Sequence, residues 1–317
     1  MLQYQELHQL HGEHTKAISN VAFSPKGNYI ATSGLDGRIC VWGLANGALL
    51  HLLRGLSAAV SLVWVPPEED TLICGLADRS IACIDLSGDF LEVKAVWAHP
   101  YPVECLAVNG GRVVVGAGCK LSVWGWDPVG THRKRLSKTL NLDAPPRTSH
   151  DELREVLVTS IHWTFSPRYP SLVVVTYMNH GALFLEPTTW TRVHTLPLNG
   201  QILRASVSAD GKRMAVFNAL RGCDVYSLTS GVRLCATNHE ILENYPTPVL
   251  WIHGGLALLE GSTAGQLTLW DLVDHLEGKG KVDPRPRILY RLPIPKSANV
   301  MSISVRASPI EIPDYNL

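Results

Sequence analysis

The chain is decided by His14-Thr15-Lys16-Ala17-Ile18-Ser19-Asn20-Val21-Ala22-Phe23-Ser24-Pro25-Lys26-Gly27-Asn28-Tyr29-Ile30-Ala31-Thr32-Ser33-Gly34-Leu35-Asp36-Gly37-Arg38-Ile39-Cys40-Val41-Trp42. Short runs of β-branched and aromatic residues alternate here with Ser-Pro-Lys-Gly-Asn and Leu-Asp-Gly, which are turn chemistry. The run that ends at Trp42 recurs along the chain. Equivalent runs end at Ile84, Trp124, Leu185, Tyr226 and Trp270, so the intervals are 42, 40, 61, 41 and 44 residues. Four of the five match the ~40–45 residues of a four-stranded propeller blade, and the long one predicts a loop insertion. Helical periodicity is nearly absent, so the expected class is all-β.

Outward from that repeat, the composition fits one large soluble unit. The chain has 317 residues, 46% hydrophobic and 18% charged, enough apolar surface for a large core and too little charge for disorder. Lys+Arg and Asp+Glu both number 28, which argues against a dedicated nucleic-acid binder needing a basic excess. The longest nearly uncharged apolar stretch, 55–67, is shorter than the ~20 residues of a membrane span, and Glu6 interrupts any signal-like apolar run at the N-terminus. Seven cysteines lack a C-x-x-C pair, and Cys40, Cys74, Cys83 and Cys105 sit in apolar runs, so a reduced, intracellular protein (cytoplasmic, nuclear or both) is expected.

The 14–42 stretch resembles a repeat of the WD-repeat β-propeller family. The resemblance implies a structural tetrad of His14, Thr32, Asp36 and Trp42, in which the turn aspartate takes hydrogen bonds from its neighbours. Physically, an ionised carboxylate in a tight turn needs such donors, so these residues are read as structural and not catalytic. The later repeats depart from the pattern. The second keeps Asp78 but has Leu56, Cys74 and Ile84 at the other three positions. The third keeps His99 and Trp124 with Gly118 in the turn; the sixth keeps Trp270-Asp271 with Ala264 in the turn. The fourth and fifth retain only the apolar run and turn sequences such as 164–167 and 208–212.

The expected layout is a single propeller on a seven-bladed plan; the alternative is a closed six-bladed ring with both chain ends displaced. Residues 1–10 form an orphan outer strand, 17–293 form six complete four-stranded blades, 297–306 form the first strand of an incomplete last blade, and 307–317 form a tail. Inner strands are expected at 17–24, 58–66, 102–108, 156–165, 201–208 and 247–252. Outer strands are expected at 47–54, 89–97, 131–140, 190–196, 231–237 and 286–293. Long loops are expected at 141–154, which holds Pro145-Pro146, and at 274–286. A seventh blade also needs two middle strands, so an exposed sheet edge prone to association is expected beside the gap.

Catalytic and metal chemistry finds no support. His8, His11 and His14 are three apart, which on a strand places neighbours on opposite faces. No P-loop, zinc-protease, nucleophile-elbow or dinucleotide signature occurs, so no enzyme activity, metal or cofactor is expected. The basic run 132–138 (His132, Arg133, Lys134, Arg135 and Lys138) reads most simply as charge that blocks pairing at an outer strand; the alternative is a chromatin- or RNA-associated propeller using that patch. The expected function is a non-catalytic scaffold for protein or peptide partners of unspecified identity, without membrane contact. Its binding face carries Lys16, Arg79, Tyr101, Asn179, His180, Arg221 and Tyr245, chosen by loop position and side-chain type.

Overall fold

The computed structural model describes residues 4–88, 91–127, 135–145, 154–219, 221–237, 247–262, 266–276, 286–292 and 302–304. Its strands form six four-stranded antiparallel sheets, each built from strands consecutive in sequence. Blade 1 is β1 (Ile18–Phe23), β2 (Tyr29–Gly34), β3 (Ile39–Gly43) and β4 (Leu49–Leu53). Blade 2 is β5 (Ala59–Trp64), β6 (Thr71–Leu76), β7 (Ser80–Asp85) and β8 (Glu92–Ala98). Blade 3 is β9 (Cys105–Asn109), β10 (Arg112–Ala117), β11 (Lys120–Asp127) and β12 (Arg135–Leu142). Blade 4 is β13 (Val158–Thr164), β14 (Leu172–Tyr177), β15 (Gly181–Leu185) and β16 (Arg192–Leu196). Blade 5 is β17 (Ile202–Val207), β18 (Arg213–Asn218), β19 (Gly222–Ser227) and β20 (Arg233–Thr237). Blade 6 is β21 (Val249–Ile252), β22 (Ala257–Gly261), β23 (Leu267–Asp271) and β24 (Arg287–Leu292), with a one-turn helix, α1 (Val273–Leu276), after β23.

The residues that set the repeat spacing share one structural role. In every blade the third–fourth strand ladder shifts register at that residue: Trp42, Ile84, Trp124, Leu185, Tyr226 and Trp270. The extra residue lies on the fourth strand, as Leu50 does between the pairs Val41↔His51 and Trp42↔Leu49, so the bulge bends the outer strand opposite that large side chain. All but Tyr226 and Trp270, at 8% and 7% exposed, are at or below 5%.

Five apolar clusters fill the five seams between consecutive blades. Each joins a trailing face to a leading face. In the first, Ala31, Ile39 and Val41 of blade 1 meet Leu62, Leu72 and Ile84 of blade 2. The inner strands make neighbour contacts in the series β1–β5–β9–β13–β17–β21, while β21 and β1 share no comparable contact.

Two expectations at the ends of the chain need correction. Residues 4–10 are not an outer strand; they have no regular structure, and side chains hold them in place. Tyr4 packs on Tyr290 at 5.5 Å between ring centroids and its hydroxyl meets His253 Nε2 at 2.7 Å, both in blade 6. Within the expected 297–306 strand only 302–304 are described, and these are not a strand; Ser302 Oγ accepts a hydrogen bond from Val21 N at 3.1 Å. The reason is shared: a strand needs a ladder partner, and among the described residues no middle strand stands between these segments. The 307–317 tail lies outside the described residues.

Smaller shifts occur in blade 3. Its outer strand extends to Leu142, past the expected end at 140, because the eight-residue β11 carries the ladder as far as Leu121↔Leu142; the expected start, 131–134, lies outside the described residues. The expected 141–154 loop therefore starts at 143, and 146–153 lie outside the described residues. The 274–286 loop begins inside α1, and its residues 277–285 are likewise outside them. No helix among the described residues is long and apolar enough to cross a membrane.

Candidate functional site

Antiparallel order places every second-to-third-strand turn and every blade-to-blade connection on one end of the ring. These two sets of loops are tied together. The residue that ends or follows the second strand donates its N–H to the residue preceding the inner strand of the same blade: Leu35 to Ala17, Ala77 to Ala58, Met178 to Leu157, Ala219 to Gln201 and Gly261 to Pro248, at 2.9 Å in each case. His99 N also donates to Arg79 O at 2.6 Å, and Val158 N to Gly118 O at 2.9 Å. Gly37, at φ +72, lies so close to Leu56 that an added Cβ would sit 2.0 Å from its carbonyl oxygen. The loop face is thus a hydrogen-bonded rim on a rigid ring.

In blade 1 the rim is anchored by the four residues singled out in the sequence. Asp36 has a side chain only 3% exposed. Its Oδ1 meets His14 Nδ1 at 3.2 Å and accepts from Arg38 N at 3.1 Å, and its Oδ2 accepts from Thr15 N at 2.7 Å. His14 Nε2 lies 2.9 Å from Thr32 Oγ1, which accepts from Trp42 Nε1 at 3.0 Å. Burial pushes the Asp36 carboxyl up, but the Thr15 and Arg38 amides and His14 outweigh it and hold the group at about 2.

The other blades solve the same problem with different residues. Blade 6 places Glu260 where blade 1 has Thr32, ten residues before its tryptophan. Glu260 Oε2 accepts from Trp270 Nε1 and from Thr237 Oγ1, both at 2.8 Å. A carboxylate in place of the hydroxyl hides this residue from the repeat's motif, although it shares the ten-residue offset of Thr32–Trp42. In blade 3 the Trp124 indole donates to Ser122 Oγ at 3.0 Å, and buried His99 meets the Tyr101 backbone, with Gly118 in place of a turn carboxylate. In blade 2 Asp78 caps its own turn through Ser80 N at 3.1 Å and Ser80 Oγ at 2.6 Å.

Of the seven face residues, Lys16, Arg79, Tyr101 and Arg221 are exposed on the rim. Arg79 occupies a left-handed turn at φ 72, and Tyr101 lies over the Gly118 turn. Asn179 is half-buried, its amide donating to Glu155 O at 3.4 Å and its oxygen accepting from Arg154 at 3.5 Å. His180 does not reach the surface: it is 7% exposed, because its turn folds the ring beneath the rim. Tyr245 lies outside the described residues. In the basic run, Lys138 is exposed on β12, whereas 132–134 and the Arg135 side chain lie outside them.

The channel along the ring axis is lined by inner-strand residues of all six blades and by Ser302 and Ile303, around a cavity of about 180 Å³. Its titratable groups are Glu104, Cys105, His162 and Arg204. Burial lowers the His162 pKa to about 4, so the ring is neutral at physiological pH; burial raises the Glu104 pKa, and Arg204 opposes it. The described residues include no group of three or more His, Cys, Asp or Glu side chains able to hold a metal.

Residues 4–43 match the family model described as WD domain, G-beta repeat. That match covers the segment with the complete hydrogen-bonded tetrad, and five further blades repeat its strand order and bulge. The chain belongs to the WD-repeat family. This WD-repeat propeller is 32% identical over 101 residues to human WD repeat-containing protein 90, covering 30% of this chain and 6% of that protein. It is 35% identical over 72 residues to the COMPASS component SWD3 of Saccharomyces cerevisiae, covering 23% of this chain and 22% of that one. It is 34% identical over 73 residues to the small ribosomal subunit protein RACK1 of Brassica napus, with the same two shares. The matches thus span under a quarter of these relatives' lengths.

Proposed function

We propose that this WD-repeat propeller is a non-catalytic scaffold, laid out on a seven-bladed plan, that binds protein or peptide partners on its loop face. The observation that carries the reading is the rim itself. Within a blade the second-to-third-strand turn is tied at 2.9 Å to the incoming connection, and between blades Val158 N donates to Gly118 O at 2.9 Å and Ile202 N to Met178 O at 2.8 Å, so exposed side chains from different blades are held in fixed relative positions. Such pre-organisation lowers the ordering cost of binding. Lys16, Arg79, Tyr101 and Arg221 offer three cations and an aromatic ring, side chains suited to anchoring a polypeptide. Two relatives carry names that place them in assemblies, a COMPASS component and a small ribosomal subunit protein, which agrees with a scaffold role. The seven-bladed plan is supported by the break between β21 and β1 and by the two chain segments beside it.

The test is capture of partners by the full chain, followed by cross-linking to locate the contact. A Lys16→Glu, Tyr101→Ala, Arg221→Glu variant should lose the captured set, and Lys212→Glu on the opposite face should keep it. Equal capture by both variants would remove the loop face from the account.

A further inference from the structure

The two blades at the ends of the series each present a seam face that belongs to none of the five seam clusters. On blade 1 this is the leading face, with Val21, Ile30 and Trp42. Their counterparts in blade 2, Leu62, Leu72 and Ile84, are 7%, 0% and 0% exposed, whereas Val21 and Ile30 are only half-buried. On blade 6 it is the trailing face, with Leu259, Leu267 and Leu269. The matching residues of blade 2, Ile73, Ile81 and Cys83, are all 0% exposed; Leu269 is as buried at 1%, whereas Leu259 and Leu267 are half-buried.

The chain touches these faces at the two radial extremes of a blade. Near the axis, Ser302 bonds β1 through Val21 N. At the periphery, Tyr4 packs on Tyr290 of the outer strand β24, and Leu10 joins Ile18, Val21, Ile30 and Trp42 around a cavity of about 400 Å³. An innermost and an outermost position are therefore held, with apolar walls between them.

We propose that the slot between blades 6 and 1 is a docking site for a β-hairpin donated by a different protein, which supplies the two middle strands of a seventh blade. The five filled seams show what each wall accepts. A leading face packs against alternate apolar residues of a neighbouring sheet's trailing face, and a trailing face against the reverse. An antiparallel hairpin with apolar side chains on both faces meets both requirements at once. This site lies on the seams, away from the loop face, so its partner need not be the one bound there.

The inference rests on the seven-bladed plan, and the two can fail separately: opening of the slot is read by thiol labelling of Ile30→Cys, and occupancy by hairpin binding. The probe is a fluorescein-labelled peptide reproducing residues 29–43, this chain's own middle-strand hairpin, titrated against the full chain and read by anisotropy. Saturable binding is expected, absent for a scrambled peptide. It should weaken about tenfold or more in Ile30→Lys and, on the opposite wall, in Leu267→Lys. Both sites are half-buried, so both variants should keep the parent melting temperature, and either one alone suffices for the test. Absence of saturation, or binding indifferent to both wall charges, would overturn the proposal. So would a dimer in sedimentation velocity that the peptide dissociates, which assigns the slot to a second copy. Binding only after removal of 305–317 would assign it to this chain's own terminal segment and overturn it as well.

Discussion

Trp270 donates its indole N–H to the Glu260 carboxylate at 2.8 Å, across the same ten-residue offset that joins Trp42 to the Thr32 hydroxyl at 3.0 Å. One blade thus uses a buried carboxylate where another uses a hydroxyl, and the tryptophan stays in the same position opposite the outer-strand bulge. Glu260 is 1% exposed and also takes the Thr237 hydroxyl of the preceding blade, so it links two blades as well as two strands.

Removing that carboxylate orphans the buried Trp270 indole and leaves the Thr237 hydroxyl with only the Cys223 carbonyl at 3.4 Å. Glu260→Ala should lower unfolding stability by about 2 kcal/mol, since an orphaned buried donor costs ~1–3 kcal/mol. Glu260→Gln, which keeps an acceptor oxygen, should cost less. Urea denaturation followed by tryptophan fluorescence checks both, and equal midpoints for the parent and Glu260→Ala would remove the linking role.

Asp36 makes the stability of blade 1 depend on pH. Its folded pKa of about 2 lies below the ordinary 3.8, so the unfolded state binds the proton more readily. The group's contribution is present in full above pH ~4 and is lost as pH falls towards 2, and amounts to about 2 kcal/mol. Asp36→Ala should be less stable than the parent at pH 7, with the gap narrowing as pH falls from 4 to 2. A gap that stays constant across that range would show that the carboxylate is not held as described.

Three inner strands carry a tryptophan at one blade position, and their indoles differ. Trp64 donates to Ala22 O at 3.1 Å and Trp251 to Ser206 O at 3.0 Å, each in the preceding blade. Trp163 Nε1 is buried without a partner. Trp163→Phe should therefore cost less than Trp251→Phe by about 1 kcal/mol, the net worth of one hydrogen bond. Calorimetry on the two variants reads the difference, and an equal loss would mean that the Trp163 indole is satisfied after all.

Most of the ring was legible because its period is set by local chemistry. Gly-containing turns and a large third-strand side chain opposite the outer-strand bulge recur at near-constant spacing, and each spacing residue, from Trp42 to Trp270, lies at a register shift. The polar partners of those residues were less legible. Ser122 reaches an indole two residues along its own strand and Glu260 reaches one across a strand pair, and replacing the family's residue type hides them from a motif. His180 was placed on the rim from its turn position, yet its ring is buried, since turn position does not fix side-chain direction. The end segments were misread as strands because alternation alone does not make a strand; Tyr4 and Ser302 hold their segments through side chains instead.

The central claim is that six blades stand in a ring whose first wall is open, and thiol labelling tests it most directly. All seven native cysteines are free, and six are buried, with Cys119 half-buried. In a Cys119→Ser background, Ile30→Cys should react rapidly with a maleimide in the folded protein. Leu72→Cys, its counterpart in the filled seam of blade 2, should react only on unfolding. Equal protection of the two thiols would contradict the account, because it would mean that blade 1 is covered by a sheet as blade 2 is.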